Sequence, residues 1–236
     1  MKKLSNGWHV PDNETRMTDH VIHDKSVEDP DYEQRHRDTI LLHIPKKETF
    51  VDVGANIGVW SIAMLPHFKK IISFEPSPVN RKCLEANTQN RTDIRPFAVG
   101  NETGKVLFKD SQKNCGDSKI TKEEVKGTYY VDIVKLDDQQ INDCSLIKID
   151  VQGFELPVIL GARKIIEKFR PWIIFEINED VDEICNFLES QKYEMIQHKS
   201  KRVMIWAPLA GPMSPVNQEA FGRRYGDGPY ASRFSG

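Results

Sequence analysis

The chain has 236 residues, of which 39% are hydrophobic and 29% charged, and its formal net charge is −2. This length suffices for one substantial core that removes roughly 70–75% of the unfolded surface from water. The near-neutral charge argues against a nucleic-acid partner, because phosphate binders usually carry a basic excess. Four cysteines without disulfide or metal-ligand spacing fit a reducing compartment. Since no stretch approaches the ~20 apolar residues of a membrane span, we expect a soluble, cytoplasmic protein.

Composition divides the chain into three regions. Residues 1–38 are polar and weakly periodic, residues 39–207 alternate strand and helix patterns, and residues 208–236 are rich in Pro and Gly. We therefore expect a polar N-terminal extension, one α/β domain and a C-terminal tail without regular elements. Basic and aromatic residues alternate in the tail, as in some binders of single-stranded nucleic acid.

The central region predicts a mostly parallel sheet with helices on both faces, because strand and helix patterns alternate along it. A helix over about 32–43 comes first, and further helices are expected after Gly58, Pro78, Phe154 and Ile177. The loop 110–126 is charged, and we expect it to be mobile. The predicted strands are Thr49–Val53, Lys70–Phe74, Ile94–Val99, Lys105–Lys109, Tyr129–Lys135, Leu146–Val151, Trp172–Ile177, Tyr193–Gln197 and Arg202–Trp206, the last two as an antiparallel hairpin.

The most informative segment is Thr49–Gly58, which predicts a strand and a Gly-rich turn before the next helix. The following strand ends at Glu75, about 20 residues on, which is the spacing of a carboxylate that holds a ribose diol. The turn lacks both Gly-x-Gly-x-x-Gly, which crowds a pyrophosphate, and the Gly-Lys-Ser/Thr of a triphosphate site. S-adenosylmethionine therefore fits this pattern better than NAD or ATP.

The turn and the two strand ends supply the predicted cofactor contacts. Glycines let the backbone approach a ligand, and free amides at a helix start suit a carboxylate. Asp52 can accept from the methionine ammonium, although Asp52 and Asn56 could instead only cap the helix. Phe97 and Ala98 would flank the adenine, with a plain core role as the alternative for Phe97. The complete predicted set is Asp52, Gly54, Ala55, Asn56, Gly58, Glu75, Pro76, Phe97 and Ala98.

Four segments in the same order and spacing resemble the FkbM family of S-adenosylmethionine-dependent methyltransferases. They are Phe50–Gly58, Phe74–Pro78, Ala98–Gly100 and Leu146–Glu155 with Leu160–Ala162, and the resemblance covers roughly residues 38–180. The resemblance implies a Rossmann-like class I methyltransferase fold with a seven-stranded, mostly parallel sheet and an antiparallel last strand. It also implies O-methylation of hydroxyls on polyketides or sugars. Gln152 stands where many members have Glu, which puts in doubt any catalytic role of that carboxylate here.

Catalysis requires a group that aligns the acceptor hydroxyl and removes its proton. Open α/β sheets place chemistry at the carboxyl ends of their strands, so Asp150 and Glu176 are the first candidates. Asp150 could instead cap the next helix, and Glu155 is either a third catalytic candidate or an acid that favours the helix dipole. Asp150 and Glu176 could also hold Mg²⁺ through oxygen ligands, although two carboxylates alone are weak evidence for a metal.

The sequence thus predicts an S-adenosylmethionine-dependent methyltransferase, with O-methylation of a sugar, glycan or other small molecule as the first hypothesis. Two alternatives remain: a methyltransferase acting on RNA or protein, and a non-catalytic protein that binds the cofactor. The sequence does not specify the acceptor, and it does not predict an oligomeric state.

Overall fold

The structure is a computed structural model that describes residues 1–20, 22, 26–27, 30, 32–111, 113–177, 180–200 and 203–209. Of the tail predicted over residues 208–236, only the first two residues belong to this set, and the remainder lies outside it. Among the described residues, no helix combines the length and the apolar character needed to cross a membrane.

Strands and helices alternate through the middle of the chain, close to the predicted bounds. The helices are α1 (Arg16–His20), α2 (Gln34–His43), α3 (Val59–Met64), α4 (Pro78–Thr88), α5 (Glu155–Gly161), α6 (Arg163–Phe169) and α7 (Val181–Ser190). The strands are β1 (Lys2–Lys3), β2 (His9–Val10), β3 (Thr49–Val53), β4 (Lys70–Phe74), β5 (Asp93–Arg95), β6 (Ala98–Val99), β7 (Gly104–Lys109), β8 (Lys119–Ile120), β9 (Thr128–Val134), β10 (Leu146–Ile149), β11 (Trp172–Glu176), β12 (Tyr193–Ser200) and β13 (Val203–Pro208).

The main sheet has seven strands in the order β12-β13-β11-β10-β3-β4-β5. Strands β11, β10, β3, β4 and β5 are parallel to one another, and β13 is antiparallel to both β11 and β12. The last strand is thus inserted antiparallel between two others. This confirms the predicted α/β fold with a mostly parallel seven-stranded sheet and an antiparallel last strand.

Alternate residues of the central strands face opposite layers, because successive side chains of a strand point to opposite faces. Val51 and Ile147 belong to the buried cluster that packs against α5, α6 and α7. Phe50 and Leu146 belong to the cluster on the other face, against α2 and α3. Both faces are covered, as the continuous apolar character of these strands predicts.

Two predicted elements are each divided in the structure. The strand predicted at Ile94–Val99 becomes β5 in the main sheet and β6 in a second sheet of order β6-β9-β7-β8, because Pro96 lies between them and has no N–H for the ladder. The single helix predicted after Phe154 ends at Gly161 and restarts as α6. The carboxylate of Asp137 accepts from the amides of Lys164 and Ile165, both at 3.0 Å, and so caps the second helix.

The N-terminal segment is polar in composition, yet part of it belongs to the core. Trp8 and Val10 are fully buried in a cluster with Ile57 and Ile62, at the start of α3. The amide of Asn87 also donates to the carbonyls of His9 and Ile57, both at 2.9 Å. This segment is therefore packed against α3 and α4, beside the turn that follows β3.

Candidate functional site

The turn after β3 approaches the end of β10 so closely that it excludes any side chain. Gly54 has φ +76°, and a Cβ built on it would lie 2.0 Å from the carbonyl oxygen of Asp150. The amides of Gly54 and Ala55 donate to the carbonyl of Phe74 at 3.1 and 3.0 Å, which fixes the turn against the end of β4. Gly58, with φ +96°, begins α3 in the left-handed region that favours glycine.

Glu75 lies at the carboxyl end of β4 with only 4% of its surface exposed. Its Oε2 accepts from the backbone amide of Asn56 at 2.8 Å, and its Oε1 accepts from the amide of Ser77 at 2.9 Å. Burial raises the pKa of this carboxyl to about 7, and the two backbone amides oppose that shift. The carboxylate is thus held in a fixed orientation.

A cavity of about 550 Å³, including its open mouth, lies beside Glu75. The residues predicted to contact the cofactor that line it are Gly54, Asn56, Glu75, Pro76, Phe97 and Ala98. Most of the remaining wall is apolar, with Val53, Phe74, Val99, Phe108 and Ile120 among its members. A flat apolar ring with an attached diol suits such a cavity, since the walls take the ring and a carboxylate takes the hydroxyls.

One side of this cavity, called its roof below, is formed by residues of the loop 110–126, which was expected to be mobile. Cys115–Asp117 forms a 3-10 turn, and both Cys115 and Gly116 line the cavity. The buried carboxylate of Glu14 accepts from the amides of Met17 and Cys115. The amides of Thr15 and Arg16 also donate to the carbonyl of Lys113, both at 3.2 Å, so the N-terminal segment holds the roof in place through a side chain and through its backbone.

Asp52 is held by contacts within the protein, and its contact with the methionine ammonium stays a prediction. It is fully buried, its Oδ2 accepts from the hydroxyl of Ser61 at 2.7 Å, and its Oδ1 lies 3.4 Å from Nζ of Lys148. Lys148 is the direct neighbour of Asp52 in the β3–β10 register, and neighbouring residues of parallel strands share a face. The cation beside Asp52 is thus Lys148, and Asp52 does not line the cavity beside Glu75.

Lys148 was not identified as a site residue from the sequence. Its Nζ donates to the carbonyl of Gly54 at 3.0 Å and lies 3.6 Å from Oδ2 of Asp150. Burial alone would lower the pKa of this ammonium, but the carboxylates of Asp52 and Asp150 outweigh burial and raise it. A lysine inside an otherwise apolar strand such as Leu-Ile-Lys-Ile was the available signal, since an isolated buried lysine requires a partner.

A second cavity of about 1080 Å³, including open solvent, adjoins the first and shares Gly54, Asn56, Gly116 and Asp150 with it. Its wall contains Asp150 and Glu176, the first two candidates for catalysis, and also Ala55 from the predicted cofactor set. The other polar or aromatic members of the wall are Arg16, Tyr32, Trp60, Asn114, Asp117, Lys148 and Gln152. The structure therefore brings both carboxylates to the second cavity, and Asp150 lies where the two cavities meet.

The amide of Gln152 connects the two carboxylates. Its Nε2 donates to Oδ1 of Asp150 at 2.9 Å and to Oε2 of Glu176 at 2.8 Å. Burial and the charge of nearby Asp150 together raise the pKa of Glu176 to about 7, and the hydrogen bond from Gln152 opposes that shift. The pair thus contains a carboxyl that exchanges its proton near neutral pH.

Glu155 is buried at the start of the next helix, and its charge adds to the raised pKa of Glu176. Only 2% of its surface is exposed, and its carboxylate accepts from the amides of Val151 and Gly153 at 3.1–3.2 Å. It begins α5, where such a carboxylate satisfies amides that precede the helix. The structure therefore supports the helix-start role of Glu155, and its catalytic role stays a prediction.

The expected Mg²⁺ site has no further support. Over the described part of the chain, no group of three or more His, Cys, Asp or Glu side chains is arranged to hold a metal ion. The two carboxylates instead share the amide of Gln152.

The fold is similar to that of solved methyltransferases. The crystal structure of methyltransferase FkbM from Methylobacillus flagellatus KT is 19% identical with a TM-score of 0.52, and the match covers 68% of this chain but 43% of that one. An rRNA methylase from Streptococcus thermophilus is 9% identical (TM-score 0.48; 74% and 95% of the two chains). A ribosomal protein L11 methylase from Lactobacillus delbrueckii subsp. bulgaricus is 12% identical (TM-score 0.46; 75% and 77%).

Comparison with the sequences of curated proteins gives no significant match. The family model of the methyltransferase FkbM domain, in contrast, matches residues 52–195. This range contains the Gly54 turn, Glu75 and the Asp150–Gln152–Glu176 group. The chain belongs to the FkbM methyltransferase family.

Proposed function

We propose that this protein is an S-adenosylmethionine-dependent methyltransferase that methylates a hydroxyl of a sugar, glycan or other small molecule. The observation that carries the proposal is the position of Glu75, whose oriented carboxylate lines a cavity that shares Asp150 with the second cavity, where Glu176 also lies. The first cavity would hold the cofactor, and the second would hold the acceptor. The family to which the chain belongs supports the same assignment.

The residues around the first cavity fit the cofactor chemically. Glu75 can accept from both ribose hydroxyls, and Phe97 and Ala98 offer apolar surface for the adenine. The side-chain Oδ1 of Asn56 is buried and has no hydrogen-bond partner among the described residues, although Asn56 lines both cavities. A buried acceptor without a partner is costly, and the methionine ammonium could supply the missing donor.

The carboxylate pair would serve the acceptor. When bound, S-adenosylmethionine supplies an electrophilic methyl group on a sulfonium, and methyl transfer to the acceptor oxygen leaves the neutral thioether S-adenosylhomocysteine. Asp150 would accept the hydroxyl proton as that oxygen forms its new bond, and Glu176 beside it would share the proton. Alignment of the hydroxyl with the methyl group contributes much of the expected acceleration, because such displacements depend on geometry.

Replacing Glu75 with Gln tests the cofactor assignment. We expect the dissociation constant of S-adenosylhomocysteine to rise about tenfold to a hundredfold, because a hydrogen bond to a charged group contributes about 1.5–3 kcal/mol. Isothermal titration calorimetry measures this, with Glu102→Gln at an exposed position as the matched control and NAD as the competing ligand. Equal S-adenosylhomocysteine affinities for Glu75→Gln and the unmodified protein, or tighter binding of NAD, would contradict the proposal.

The rate of methyl transfer should increase with pH through about 7, the raised pKa of Glu176. The carboxylate, which is the form that accepts a proton, predominates above that pKa and is lost below it, so the rate should fall about tenfold per pH unit on the acid side. Because the pKa of Glu75 is also raised to about 7, kcat must be measured at saturating cofactor. Glu176→Gln should remove the inflection, and an unchanged profile in this variant would assign it to another group.

A further inference from the structure

Gln152 occupies a backbone conformation that few side chains adopt, directly between the two carboxylates. Its φ is +57°, and it is followed by Gly153 with φ +97°, so the chain turns sharply after β10. This turn directs the side chain into the wall of the second cavity. Non-glycine residues seldom occupy the left-handed region, and such positions concentrate at functional sites.

The amide of Gln152 has two N–H groups, and each is used on a different carboxylate. The Nε2–Oδ1 distance to Asp150 is 2.9 Å and the Nε2–Oε2 distance to Glu176 is 2.8 Å. Two carboxylates on adjacent strands repel each other when both are charged. A neutral donor that bonds to both holds them together without adding a charge, and it leaves the proton-accepting capacity of the pair in place.

We propose that Gln152 is a positioning residue that fixes Asp150 and Glu176 as one unit facing the methyl group of the cofactor. The proposal rests on the proposed function, since it assigns the two carboxylates to the reacting end of the cofactor. It goes further in naming a residue that acts only through them. Glu155, at the start of α5, accepts from the backbone amides of Val151 and Gly153.

The affinity for sinefungin tests this role without a known acceptor. Sinefungin is an S-adenosylmethionine analogue with an amine in place of the methyl sulfonium, so its ammonium reports on the carboxylates that face the methyl position. S-adenosylhomocysteine lacks that cation and reports on the rest of the site. The ratio of the two dissociation constants, measured by calorimetry, therefore isolates the carboxylate pair.

Gln152→Met keeps the length of the side chain and removes both N–H donors. We expect the preference for sinefungin over S-adenosylhomocysteine to fall about tenfold, because the carboxylates lose their common donor and Glu176 holds its proton more strongly. The affinity for S-adenosylhomocysteine itself should not change. Gln89→Met is the matched control, since Gln89 is exposed, has φ +53° and lies at the end of α4.

A double-mutant cycle with Glu176→Gln separates positioning from a structural effect. In the Glu176→Gln background, Gln152→Met should change the preference little, because the residue through which it acts is already altered. A full effect in that background, an equal loss of both affinities or an unchanged preference would overturn the proposal for Gln152. Failure of the unmodified protein to bind S-adenosylhomocysteine would instead overturn the proposed function, and with it the role of the pair.

Discussion

Replacing Lys148 with methionine should lower the free energy of unfolding by about 3–5 kcal/mol, which is a large part of the stability of a typical domain. The substitution preserves much of the volume of the side chain but leaves the fully buried Asp52 carboxylate without its cation at 3.4 Å. It also removes the donor to the carbonyl of Gly54. Urea denaturation followed by tryptophan fluorescence measures the change.

Two further variants determine whether the buried pair is the cause. Lys69→Met removes an exposed ion pair of 2.8 Å with Glu48 and should cost at most about 1 kcal/mol. Asp52→Asn combined with Lys148→Met should recover part of the loss, because no buried charge is then unpaired. Equal losses of unfolding free energy for Lys69→Met and Lys148→Met would show that the buried charge of Asp52 does not require Lys148.

Replacing Asp150 with Asn should reduce methyl transfer about 10²- to 10⁴-fold, the usual contribution of a general base. Asn can still accept the hydrogen bond from Gln152, so the geometry of the site is kept while its capacity to take a proton is lost. The measurement is the rate of S-adenosylhomocysteine formation with methyl glycosides, polyols and phenols as acceptors. The affinity for S-adenosylhomocysteine should stay unchanged.

Asp138→Asn is the control for this variant, because Asp138 is exposed and lies outside both cavities. Equal rates for Asp150→Asn and the unmodified protein would remove Asp150 from the reaction. Tight binding of S-adenosylhomocysteine without turnover of any acceptor, in the unmodified protein and the variant alike, would favour the non-catalytic alternative. Cofactor binding and proton removal are therefore tested separately, the first by affinity and the second by turnover.

The hydrophobic periodicity of the sequence was sufficient to predict the sheet. Strands β3 and β4 have the predicted bounds because each is a short apolar run between turn residues, and such runs are typical of buried parallel strands. The break at Pro96 and the restart of α6 were missed for different reasons. Proline was visible in the sequence, whereas the Asp137 cap comes from a distant segment and cannot be inferred from local pattern.

The site residues that follow from the order of the motifs could be predicted from the sequence. The contacts that depend on how the strands pair in the sheet could not. Glu75, Asn56 and Asp150 follow the carboxyl ends of strands that are neighbours in the sheet, and the structure brings them to the cavities. The partner of Asp52 follows only from the β3–β10 pairing, which places Lys148 beside it. The role of Glu14 could not be predicted, because it depends on packing between segments about 100 residues apart in the sequence.

The insertion of β13 between β11 and β12 means that the family match does not coincide with a folding unit. The match ends at residue 195, within β12, whereas β13 begins at Val203. A fragment cut at the boundaries of the match would retain part of the outermost strand and lose the strand that attaches it to the sheet. It would also lose Trp8 and Glu14, and so part of the core beside α3 and the support of the cavity roof. Dissection of this protein for separate study should therefore follow the order of strands in space rather than the limits of sequence similarity.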